Sequence, residues 1–147
     1  SMTTLPKDFK EFIALLNKLD VRYIVIGGYA VVYHGYVRST NDIDIWIDIH
    51  ETNIEKLLRA LNEFGFSSLN IKRTDFSPNQ IIQLGYPPNR IDLITTPAGV
   101  DFEACFKSKE SVVIDDISIN IIDLHNLIKA KKASNRTRDL ADIEELT

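Results

Sequence analysis

From Asp42 to Ile49 the sequence DIDIWIDI alternates without a break. A period of two sends Ile43, Ile45, Ile47 and Ile49 to one face of a strand and Asp42, Asp44, Trp46 and Asp48 to the other. Such a strand fits a sheet that buries one face, and the row of acids on the other needs an explanation. Residues two apart on a strand stand roughly 6.5–7 Å apart on one side, so Asp42 and Asp44 are placed to share ligands. Carboxylates that close repel each other unless a cation sits between them. Oxygen ligands of this kind suit Mg²⁺ or Mn²⁺, which complete their shells with water and substrate phosphate. The plainer alternative is the solvated side of an amphipathic strand.

Asp92 shifts that balance. It lies in RIDLIT, between Ile91 and Leu93, where an acid is costly to bury without a partner or a metal. If this strand lies beside the Asp42 strand, Asp92 completes a set of three. Three carboxylates can bridge two ions ~4 Å apart, a clamp on both attacking and leaving oxygens of an in-line displacement. Upstream, YIVI runs into Gly27-Gly28 and then into a short helix over Tyr29 to Tyr33. Glycine lets backbone N–H groups approach a phosphate; most such pairs are merely tight turns. Arg38 and Thr40, just ahead of Asp42, either contact substrate or brace the loop. Lys129, Lys131, Lys132, Arg136 and Arg138 either complement a helix terminus or hold an anion. Arg138, Asp139 and Asp142 suggest an ion-pair cluster on a helix face. Trp46 either packs in the core or stacks a base. His34, His50 and His125 have no metal-ligand spacing, and His34 is expected to pack or bond near the elbow.

The rest of the chain supplies a frame. Apolar residues recur at helical spacing from Lys7 to Leu19, and from Ile54 to Phe64 behind the capping box Thr52-x-x-Glu55, with Gly65 as a stop. Residues 67 to 79 read as a loop or an irregular edge. Ile81 to Leu84 and Arg90 to Thr95 read as strands, and SVVI and ISINII around Asp115-Asp116 as a hairpin. Asp123 caps a helix from Leu124 to Ala133, and a last helix spans Thr137 to Leu146. The order α-β-α-β-α-β-β-β-β-α-α predicts an α/β or α+β fold, a mixed sheet with helices packed on it and a C-terminal helical pair. One domain is expected over 1–147, with 123–147 as a helical tail and Ser1-Met2 as an expression remnant. The 147 residues are 44% hydrophobic and 26% charged, the composition of a globular protein. No apolar run approaches the ~20 residues of a membrane span. With no secretory signal and Cys105 alone, the expected location is the cytoplasm. A net charge of -4 argues against broad affinity for nucleic acid.

The stretch GGYAVVYHGYVRSTNDIDI, with the later acidic strand, resembles the nucleotidyltransferase superfamily that includes DNA polymerase β. Arg38, Thr40, DID and the tail LIKAKKASNRTRDLADIEEL more narrowly resemble the AbiEii-type toxin branch. The resemblance implies a mixed sheet of the nucleotidyltransferase type and transfer of a nucleoside monophosphate from an NTP to a hydroxyl. It implies Asp42, Asp44 and Asp92 as catalytic metal ligands for Mg²⁺ or Mn²⁺, and Gly27, Gly28, Arg38, Thr40 and Lys131 around the nucleotide. Arg136, Asp139 and Asp142 match the tail motif with no assigned role. The acceptor (tRNA, protein or small molecule) stays open, as does a cognate antitoxin or other protein partner. Many members carry Gly-Ser where this chain has Gly27-Gly28. The alternative is a degenerate relative that binds nucleotide or partner without chemistry.

Overall fold

The computed structural model describes residues 5–97, 99–134 and 136–147, so Ser1-Met2 lies outside the described residues. The elements are α1 (Lys7–Lys18), β1 (Tyr23–Ile26), α2 (Gly27–Tyr33), β2 (Ile43–Ile47), α3 (Glu51–Phe64), β3 (Ile81–Leu84), β4 (Ile91–Ile94), α4 (Phe102–Ser108), β5 (Glu110–Ile114), β6 (Ile117–Ile121), α5 (Leu124–Ser134) and α6 (Thr137–Leu146). The strands form one six-stranded mixed sheet in the order β3-β4-β2-β1-β6-β5. β1 runs antiparallel to β2 and parallel to β6, and β2 runs parallel to β4.

Register explains the alternating sequence. Ile82, Leu93, Ile45, Val25 and Ile121 form one row across five strands. Paired residues share a face, and this row of five is apolar. α1 brings Phe9, Phe12, Ile13 and Leu16 to the core, and α3 brings Ile54, Leu57 and Leu61. Phe12 meets Phe64 edge-on at 5.3 Å, and Tyr23 donates its hydroxyl to Asn17 of α1. On the opposite face the row Gln83, Asp92, Asp44, Ile26 ends at the Gly27 elbow. Trp46 shares this face but is only 2% exposed; its Nε1 donates to the Thr95 carbonyl and its ring meets Phe102 of α4 edge-on. The indole is therefore core and closed to a stacking base.

Several boundaries differ from the sequence expectation. The β2 strand starts at Ile43 and leaves Asp42 in the bend before it. α3 starts at Glu51 with His50 as its N-cap, so Thr52 is inside the first turn and caps nothing. Asn53 anchors that end instead, donating to the Asp48 and Arg22 carbonyls and accepting from Arg22 N–H. Two 3₁₀ turns, Ser67–Leu69 and Arg73–Asp75, interrupt the expected loop. α4 has no counterpart in the expected order; Asp101 caps it by accepting from Ala104 N–H at 3.1 Å. The expected Gly65 stop holds, at φ +104. Asp115 and Asp116 both adopt positive φ, as a tight two-residue hairpin turn requires. Asp123 caps α5 through Asn126 N–H.

Candidate active site

The site grows from one register. β2 and β4 are neighbours, and Asp44 stands directly beside Asp92. Asp42 joins them from the bend before β2. At Gly27 the chain turns with φ +70, and a Cβ there would collide with Asp44 Oδ2. The elbow therefore lies against the carboxylate, and no other residue fits both the conformation and the space. A Cβ on Gly28 would collide with Thr40 Oγ1 and come within 3.4 Å of Arg38 NH2. The 38–40 loop thus folds over the elbow. His34, at the end of α2, places Nε2 at 2.7 Å from the Ile122 carbonyl, the bonding role expected of it.

The acids are not in equivalent environments. Arg90 places NH2 at 2.9 Å from Asp42 Oδ2 and Nε at 2.7 Å from Asp92 Oδ1. Its guanidinium bridges the two outer carboxylates. Among the described residues Asp44 has no such partner, and burial followed by the charges of Asp92 and Asp42 pushes its pKa up to about 6. Lys131 and Arg136 oppose that shift from a distance. Among the described residues no three Asp, Glu, His or Cys side chains converge as a ready-made cation site. The guanidinium takes the space between Asp42 and Asp92 that a cation would need. Asp44, with carboxylates on both sides of it, would fit a divalent cation only with Arg90 displaced from between Asp42 and Asp92.

The tail motif forms the neighbouring wall. Asp139 and Asp142 are each 1% exposed. Lys131 Nζ lies 2.9 Å from Asp142 Oδ2 and 3.4 Å from Asp139 Oδ1. Arg136 Nε donates to Asp139 Oδ2 at 2.8 Å. Burial raises the Asp139 pKa, but the Arg136 hydrogen bond and the Lys131 charge outweigh it and leave the net shift downward. Arg38 Nε approaches Asp142 Oδ1 to 3.1 Å, although its N–H is not aimed at the oxygen and finds no other acceptor. The expected cluster exists, with Arg136, Lys131 and Arg38 as its cations in place of Arg138. Arg38 and Lys131 face the cleft but are already paired with α6.

The cleft has a volume of ≈ 950 Å³ and takes in all eight residues expected to form the site. Sequence reasoning missed Arg90 and the β3 wall at Gln80, Ile81 and Gln83. The signal for Arg90 was present, since RID puts it two residues from Asp92 on the same strand side.

The fold has solved counterparts. The lincomycin-bound lincosamide antibiotic adenylyltransferase LnuA superposes with a TM-score of 0.57 at 17% identity, covering 98% of this chain and 97% of that one. A nucleotidyltransferase described as putative, from Thermotoga maritima, gives a TM-score of 0.61 at 15% identity, covering 93% and 88%. At such identities the likeness concerns the fold. No curated protein matches the chain. No helix among the described residues is long and apolar enough to cross a membrane. A family model described as nucleotidyltransferase of unknown function (DUF6036) matches residues 3–147, and neither it nor the solved counterparts singles out the AbiEii-type branch. With that match over nearly its whole length, the chain belongs to this nucleotidyltransferase family.

Proposed function

We propose that this chain is a metal-dependent nucleotidyltransferase. It transfers a nucleoside monophosphate from an NTP to a hydroxyl acceptor and releases pyrophosphate. The observation that carries the reading is the placement of Asp44 beside Asp92, with Asp42 adjacent and the Gly27 elbow against them. Asp42, Asp44 and Asp92 would hold Mg²⁺ or Mn²⁺, which would supply charge neutralisation at the α-phosphate and lower the pKa of the attacking group. The Gly27-Gly28 backbone, Thr40, Arg38 and Lys131 line the triphosphate side. The acceptor oxygen bonds to the α-phosphorus as the bridging P–O bond to the β-phosphate breaks. That electron pair leaves with pyrophosphate, and the acceptor proton passes to Asp92 or solvent.

Calorimetric titration of each of the four NTPs, with and without Mg²⁺, into the wild type and Asp44→Asn tests this. Metal-dependent binding in the wild type that disappears in the variant is the expected result. Binding indifferent to metal and to the variant would refute the assignment. A second reading, a relative that binds nucleotide without chemistry, draws on the Arg90 bridge across Asp42 and Asp92. It differs in one outcome: metal-dependent NTP binding with no pyrophosphate released in the presence of any acceptor. A toxin role rests on the sequence likeness alone. Growth arrest on expression, relieved by Asp44→Asn, is its signature.

A further inference from the structure

Charge divides the cleft into two sides. The carboxylates lie on and before β2 and on β4. The cations Arg38, Lys131, Arg136 and Arg138 lie toward β1, with the 38–40 loop over Gly28 and with α5 and α6. Toward the sheet edge at β3, the described lining residues Gln80, Ile81, Gln83, Ile94, Thr96 and Pro97 carry no charge. Among the described lining residues Arg90 is the one cation there, and it bridges Asp42 and Asp92. Gln83 pairs with Asp92 and Ile81 with Ile94, so these side chains share the face of the catalytic row. Ile81 is 63% exposed, whereas Trp46, on the same face, is covered by Phe102 of α4.

In-line displacement makes this division informative. The attacking and leaving oxygens stand on opposite sides of the transferred phosphorus. Pyrophosphate, the most anionic group in the reaction, belongs with the cations on the β1 side. The acceptor must then approach from the β3 side, next to Asp92. That wall offers amides, a hydroxyl and apolar surface, and among its described residues a single cation, Arg90, where a phosphodiester backbone calls for several. A cleft of ≈ 950 Å³ lies at the upper end for small-molecule sites, room for an NTP and one further small ligand. Resting on the nucleotidyltransferase reading, we propose that the β3–β4 wall is the acceptor subsite. Its acceptor is an uncharged or cationic small molecule that bears a hydroxyl and an apolar face, and not a nucleic acid.

The test supplies the full chain with Mg²⁺, each NTP labelled at the α-phosphate, and three acceptor pools in parallel. The pools are a panel of neutral and amino-substituted glycosides and polyols, total tRNA, and casein. Label is expected in the glycoside and polyol pool, and Gln83→Ala should raise the acceptor KM about tenfold, the value of one lost hydrogen bond, with NTP affinity unchanged. Label in tRNA or casein overturns the inference. So does absence of label from all three pools while metal-dependent NTP binding persists. Loss of NTP binding itself would instead overturn the underlying reading.

Discussion

Asp44 and Gly27 fix each other. The carboxylate occupies the space of a side chain at position 27, so the elbow can carry only glycine. The cost falls on the carboxylate, which is buried beside two other acids with a pKa of about 6 against an ordinary 3.8. Between those values the folded chain holds a proton that the unfolded chain has released. The contribution of Asp44 to stability is therefore full below pH about 4 and is lost as pH rises through about 6. Two pKa units correspond to up to ~3 kcal/mol. Urea denaturation from pH 4 to 7 should show wild type losing stability relative to Asp44→Asn, which lacks the charge. A parallel course for the two proteins would mean that Asp44 is ionised without penalty. The three acids and the glycine pair were legible in sequence because strand alternation and a strand-ending elbow are local patterns. Arg90 was overlooked because its role depends on which carboxylates the register brings within reach.

At the scale of elements, buried ion pairs join the C-terminal helices. α6 carries Asp139 and Asp142 inward, and α5 meets them with Lys131. Arg38 ties the loop over Gly28 to the same Asp142, 104 positions away in sequence. Removing one partner of a buried pair leaves uncompensated charge, at a cost of ~3–5 kcal/mol. Asp142→Asn should approach that loss in chemical denaturation, whereas Arg138→Gln, which removes a cation outside these pairs, should change stability by less than ~0.5 kcal/mol. Equal effects from the two substitutions would mean that the buried network does not hold α6. The sequence displayed the tail acids as a helix-face cluster but could not give their partners, because no local pattern links residue 38 to residue 142. α4 was missed for a related reason. Seven residues carrying Phe102, Cys105 and Phe106 are too few to establish a period, and only the Asp101 cap marks the start.

Over the whole molecule, the sheet separates the apolar core from the face that carries the candidate site. The Ile45 face is sealed by α1 and α3, while the Asp44 face is closed by α4 over Trp46 and left open over the acids. Substitution in the open row should therefore leave the apolar face intact and change ligand linkage instead. A ligand that binds only the folded chain stabilises it by ~2.7 kcal/mol at a concentration one hundred times its Kd. For a chain of this length each kcal/mol moves Tm by roughly 2–4 °C, so saturating Mg²⁺ and NTP should raise Tm by about 5–11 °C. Binding must also release Asp42 and Asp92 from Arg90, which lowers the affinity but not the shift at a fixed multiple of Kd. Scanning calorimetry on wild type and Asp44→Asn measures both proteins under the same conditions. The variant should unfold cooperatively and show no shift with Mg²⁺ and NTP. A wild type that melts at the same temperature with and without them would remove the case for a cation at Asp42, Asp44 and Asp92, whatever acceptor is offered.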